Sequence, residues 1–289
     1  MNKPAILQLT TAMAIFGSVG FFSQHSGLPA IELVFVRCVC AVLFLFSAWI
    51  VTGSFKKERW RAKETMLIAA CGVTNLLNWV FLFQSFRMIS VTIAISLYHL
   101  APIIVLIAGS FLFRDKLSFA SIAGITGCFV GTILIMGTDG FRTASPDWEG
   151  MLYGVIAAFF YAATMLLGKS IRHASVYATT LLQMVIGALL LLPFVHFGAY
   201  ASLNSEQWTY AIVTGILHTG IVYLLFFHSI RHLPSTAVSL LVFVDPAVAI
   251  LLDIVVTGFL PNGLQLAGIV LLFGSLFAAL ATPVLRKKG

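Results

Sequence analysis

Residues 84–102, QSFRMISVTIAISLYHLAP, lie over residues 228–246, HSIRHLPSTAVSLLVFVDP, without a gap. The offset is half of a chain of 289 residues. Ser85, Arg87, Thr92, Leu97 and Pro102 recur as Ser229, Arg231, Thr236, Leu241 and Pro246, and further on Ala123 and Gly124 recur as Ala267 and Gly268. The earlier parts of the two halves align more weakly, with Arg37 near Gln183 after a small shift. The chain therefore reads as an internal duplication, with repeats at 1–140 and 141–289.

Each copy is too apolar for water. Hydrophobic residues make up 60% of the chain and charged residues 9%, where a soluble domain carries about 25% charged. Mean hydropathy is +1.02. A membrane helix needs roughly 20 mostly apolar residues, and ten such runs are found at 5–23, 31–51, 65–86, 91–113, 118–136, 149–168, 176–199, 207–229, 235–257 and 262–283. Breakers and charges mark the joints, among them Gly27-Leu28-Pro29, the run KKERWRAKE at 56–64, Ser145-Pro146-Asp147 and Pro261-Asn262-Gly263. Five spans per copy is an odd number, so the second copy enters the bilayer from the opposite side. The predicted fold is an all-α membrane protein of ten transmembrane helices, built as two inverted five-helix repeats. Secondary carriers use this plan, with the binding site at the midplane between repeats.

Charge sets the orientation. Of the 17 Lys and Arg residues, Arg87 and Arg142 fall on one side, Arg37 falls inside the second span, and the remaining fourteen fall on the other side. The positive-inside rule then puts both termini in the cytoplasm. The net charge of +7 is explained by these loop residues, so it does not indicate a nucleic-acid partner. Cys38, Cys40, Cys71 and Cys128 sit in apolar runs without ligand or disulfide spacing and read as packing residues. No cleaved signal peptide is read ahead of the first span.

Span 9 raises the functional question. Asp245 lies about 15 Å from its cytoplasmic end, near the middle of a ~30 Å core. Such a carboxylate is expensive unless it is hydrated, paired or protonated, so Asp245 is expected to face a watery cavity. Pro246 removes a backbone donor and is expected to free the carbonyl of Val242. The matching Pro102 in span 4 is expected to free the carbonyl of Tyr98. His99 falls at a similar depth to Asp245, and the two make a candidate proton relay. A structural pair that fixes helix packing is the competing reading. Asp253, ~12 Å further along, and Arg37 in span 2 fall near the outer interface and read as structural or gating residues, with pairing to each other one option. Asn78, Trp79, Tyr98, Tyr161 and Tyr223 join the candidate site as aromatic walls and hydrogen-bonding groups. Asn75, Gln84, Gln183 and His218 read equally as interhelical hydrogen-bonding groups. Gly127 and Gly131 form a GxxxG, read as close helix packing, with dimerisation as the alternative. His228 and His232 lack a third metal ligand and read as inner-face anchors.

The chain resembles the EamA-type transporters of the drug/metabolite transporter superfamily. The resemblance rests on IFGSVGFFS (15–23), VFVRCVCAVLF (34–44), Pro102 followed by an apolar run and FRDKLS (113–118), and GITGCFVGTILIM (124–136). In the second half it rests on WEGMLYGVIAAFFYAA (148–163), Pro246 and LAGIVLLFGSLFA (266–278). Members often carry Glu after spans 4 and 9. Here Asp115 stands at the first position and VTGFLPNGL (256–264) has no acid at the second. The resemblance implies a secondary carrier of the bacterial inner membrane that moves amino acids or other small metabolites, with export the expected direction and H⁺ the candidate coupling ion. A drug or multidrug efflux carrier is the alternative. A channel lacks a filter loop here. An intramembrane aspartyl enzyme is disfavoured because Asp245 and Asp253 are too far apart to share a proton. No Walker-type loop occurs and no cofactor is implied. The expected partners are a small-molecule substrate and the lipid bilayer. Monomer and homodimer both remain open.

Overall fold

The structure is a computed structural model describing residues 2–58, 61–89, 91–115, 117–136, 148–257 and 261–281. All regular elements among these residues are helical. Ten spans follow in order. They are α1 (Lys3–Phe16 and Val19–His25), α2 (Ala30–Val51), α3 (Ala62–Met88), α4 (Val91–Tyr98 and Ala101–Phe113), α5 (Phe119–Met136), α6 (Trp148–Ser170), α7 (Val176–Leu191), α8 (Ser205–Val213, Thr214–Ile221 and Val222–His232), α9 (Ser235–Leu241, Val244–Leu252 and Asp253–Thr257) and α10 (Gly263–Ala281). Seven of these helices are long and apolar enough to cross a membrane, and three more are shorter apolar helices.

Lipid is the outer solvent. Phe119 is 87% exposed and Val51 86%, and Phe111, Leu7, Val255 and Phe159 also point outward. Those side chains would be costly in water. Packing inside the bundle relies on small residues that let backbones approach. On α6, Gly150 meets Ile89, Gly154 meets Leu97 and Gly168 meets Phe227. The glycines of the GxxxG, Gly127 and Gly131, are used the same way. Gly131 lies against the backbone of Leu272 and Gly268, and Gly127 against Ser275. The motif is thus spent inside the chain, on α10.

The pairings include α2·α7, α4·α9, α5·α10, α3·α6 and α1·α8. Exchanging each span with the one five places on returns the first three to themselves and swaps the last two. A two-fold relation between halves requires that closure.

Four spans are interrupted. α4 breaks at His99–Leu100 and α9 at Val242–Phe243, each just before its proline. Proline fits there because the first turn of a helix has no use for its missing N–H. One expectation is corrected at this point. The carbonyl of Val242 is not freed, because it accepts from the N–H of Asp245 at 3.2 Å, one residue short of the proline. α1 bends at Gly17–Ser18. A Cβ on Gly17 would stand 2.7 Å from the carbonyl oxygen of Asp245 and 2.9 Å from Val248, so the bend is where α1 presses against α9. α8 carries a π-helical stretch at Thr214–Ile221, a feature concentrated at functional sites.

Candidate functional site: a cavity open on one face

A cavity of about 550 Å³ enters the bundle between α1, α2, α3, α4 and α9. Its mouth is formed by Gly27, Leu28 and Pro29 of the first loop and by Arg87 near the end of α3. Both lie on the face opposite Lys3, which the charge bias makes the outer face. Its floor reaches Tyr161, Tyr223 and Asp245 at the level of the helix breaks.

Six of the residues named from the sequence for substrate binding or coupling border this one space: Asp245, His99, Tyr98, Trp79, Tyr161 and Tyr223. Tyr98 and Tyr161 stack with centroids 4.9 Å apart. Tyr223 stands edge-on to Trp79 at 5.4 Å and donates to Asn75 Oδ1 at 3.1 Å. The Asn78 amide lies behind them, close to the Tyr98 hydroxyl but without a well-formed hydrogen bond. Pro102 and Pro246 do not line the cavity, and they act through the breaks they begin. Asp245 and His99 share the space with no hydrogen bond between them. The His99 Nδ1 is taken by the carbonyl of Ile95 at 2.8 Å, and the Asp245 carboxylate has no hydrogen bond or ion pair among the described residues. Arg37 also borders the cavity, and its Nε–H donates to Thr219 Oγ1 at 3.1 Å. The Asp253 side chain lies outside the described ones, so its pairing with Arg37 cannot be placed.

Sequence reading missed Leu82, Phe83, Phe86 and Arg87, which line the wall beside Trp79. Their spacing from Trp79 is i+3, i+4, i+7 and i+8, one face of a helix, so the stripe was there to be found. The pairing of Ser18 Oγ with His218 Nε2 at 2.9 Å joins the two irregular stretches of α1 and α8. No sequence signal announces that contact.

Toward the cytoplasmic face the cavity's lining ends at the level of the helix breaks. Below the floor lie the buried rings of Phe226, Phe227 and Phe243. Polar ties follow. Lys169 Nζ contacts Asp115 Oδ2 at 3.0 Å and Ser235 Oγ at 2.8 Å, and the Ser235 N–H donates to Asp115 at 2.7 Å. Arg231 donates to the Ala174 carbonyl and to Thr179, while Glu64 accepts from the N–H groups of Arg172, His173 and Ala174. Burial pushes the Asp115 carboxyl up. The Ser235 N–H and hydroxyl and the Lys169 ammonium outweigh this, and it sits below the ordinary carboxylate range. A carboxyl depressed in the native state contributes stability above its unfolded pKa and loses it as pH falls through the lowered value. The tie between α4, α6 and α9 is therefore whole from about pH 5 to 8. Asp115→Ala should speed amide hydrogen exchange over residues 233–243 roughly tenfold, the effect of about one such hydrogen bond. Unchanged exchange there would show that Asp115 does not hold the inner end of α9.

A cavity at the breaks of two paired helices, inside a bundle of apolar spans, is the arrangement of a membrane transporter. The sequence matches the EamA-like transporter family over residues 3–137 and again over 148–281, and the chain belongs to that family. It is 50% identical over its whole length to the uncharacterized transporter YxxF of Bacillus subtilis (strain 168), covering 92% of that protein. A probable terminal-alkyne amino-acid exporter of Streptantibioticus cattleyicolor is 25% identical over 76% of this chain and 74% of its own. A solved crystal structure superposes with a TM-score of 0.81 at 17% identity, over 99% of this chain and 100% of that one, which supports the fold alone.

Proposed function

We propose that the protein is a secondary carrier that exports an amino acid or similar small metabolite by alternating access, with proton movement through Asp245. The repeats at 1–140 and 141–289 exchange roles between outward-open and inward-open states. One observation carries the reading: the cavity ends at Asp245, a midplane carboxylate with no hydrogen bond or ion pair among the described residues, flanked by aromatic rings. Its volume of about 550 Å³ falls in the range of small-molecule sites. A carboxylate suits an ammonium group or a proton, and Tyr98, Tyr161, Tyr223 and Trp79 suit an apolar side chain. His99 and Asn78 add polar contacts, while Pro102 and Pro246 keep the breaks where they are. The amino-acid exporter among the relatives favours the same substrate class and direction.

Purified protein in liposomes tests the class. Saturable counterflow of labelled L-phenylalanine or L-leucine is expected, with no single-channel conductance. Conductance in place of saturation would make the protein a channel. Counterflow of a lipophilic dye with neither amino acid would favour drug efflux.

A further inference from the structure

We propose that Arg37 is the docking group for a carboxylate on the transported solute. This rests on the carrier reading above and adds a residue that sets specificity.

Arg37 is 2% exposed and carries a permanent charge inside a membrane span. Its position is tightly held. Gly215, in the π-helical stretch of α8, brings that backbone so close that an added Cβ would stand 3.2 Å from both the Cα and the carbonyl oxygen of Arg37. The same stretch supplies Thr219, whose hydroxyl donates to the Thr214 carbonyl at 3.0 Å and so turns a lone pair to Arg37 Nε. The Trp79 ring lies 4.5 Å from the guanidinium carbon and the Phe83 ring 5.8 Å. One edge and one face of the guanidinium are thereby used.

The outer edge is free. A guanidinium has five N–H donors, and among the described residues only the Nε–H has a partner. No carboxylate forms an ion pair with Arg37 there, although both Arg37 and Asp245 border the cavity. A buried charge without a partner is unfavourable, and the natural completion is an anion arriving through the open mouth. The two terminal NH₂ groups form the fork that binds a carboxylate through two parallel hydrogen bonds. The aromatic rings of Trp79 and Phe83 beside it lower the local dielectric and strengthen such a pair. With Asp245 deeper in the same space, a solute bearing both a carboxylate and an ammonium meets two groups of opposite charge in one cavity.

A structural clamp on Trp79 predicts something different: losing Arg37 would weaken all solutes alike. The test is proteoliposome counterflow of labelled L-phenylalanine, with 3-phenylpropionate and 3-phenylpropionamide as one competitor pair and L-leucine and L-leucinamide as another. In the wild type the acids should compete roughly 10- to 100-fold better than the amides, as expected for charge-assisted hydrogen bonds. In Arg37→Gln the ratio should fall to about one. Arg37→Lys keeps the charge and secures the test if the Gln variant does not fold; replacing the fork by a point charge should cut the ratio several-fold. Equal competition by acids and amides in the wild type, or a ratio untouched by either substitution, overturns the assignment. Wild-type protein that moves neither L-phenylalanine nor L-leucine removes the amino-acid reading itself. That failure is separable, because it is seen before any substitution is made.

Discussion

Asp245→Asn should abolish pH-gradient-driven solute accumulation, by about 10- to 100-fold, while leaving a protein that extracts and migrates like the wild type. The two parts of this expectation have separate causes. The carboxylate makes no hydrogen bond or ion pair among the described residues, so the fold loses no partner when it becomes an amide of the same shape. Its backbone does the structural work, donating to Val242 and packing its carbonyl against Gly17. The lost charge, in contrast, belongs to the one acid among the described residues that line the cavity, where the low dielectric magnifies its attraction for an ammonium or proton. Transport assays across about pH 5.5 to 8 check this, since a proton-coupled carrier loses its pH dependence with the titrating group. Wild-type rates and an unchanged pH profile in the variant would take Asp245 out of the mechanism.

The second large effect is on assembly of the bundle. Gly131→Val should cost about 3 kcal/mol or more, which is roughly a 5 °C fall in Tm for a chain of this size. A Cβ there would stand 2.7 Å from the backbone N of Leu272 and 2.9 Å from the carbonyl oxygen of Gly268. Neither is the end of a flexible side chain, so α5 and α10 must separate. Lipid cannot repair the gap, because packing contact drives helix association in a bilayer. Gly274, also on α10, is the control. An added Cβ meets nothing within 4 Å there, and Gly274→Ala should match or slightly exceed wild-type stability. Thermal denaturation of the two variants in detergent checks the pair. Equal melting of Gly131→Val and wild type would mean that this contact does not hold the two helices together.

Much of the architecture is legible in the chain before any coordinates. Hydropathy marks ten spans because an unsatisfied backbone inside lipid is so costly that only whole helices fit. Loop charge marks the sides, and the match of 84–102 to 228–246 marks the duplication. The breaks in α4 and α9 are legible from Pro102 and Pro246. The fate of the backbone groups around them is not, since Val242 finds a partner in Asp245 by tightening its turn.

The site divides along the same line. Asp245, His99, Tyr98, Trp79, Tyr161 and Tyr223 can be named from the sequence because polar and ring-bearing residues stand out in an apolar span. Their sharing one cavity could not be read there, because it depends on how five helices rotate about their axes. Arg37 shows the difference most clearly. Its place in span 2 suggests an interfacial structural or gating residue, with Asp253 as one optional partner. The folded chain sets it against Trp79 and Thr219, more than forty and more than a hundred and eighty residues away respectively. Sequence alone determined what lies in lipid, because each span meets the bilayer independently. Only the tertiary structure decided which side chains meet across the cavity and which end of it is open. Those outcomes depend on side-chain shape at contacts between distant spans, and no local pattern encodes them.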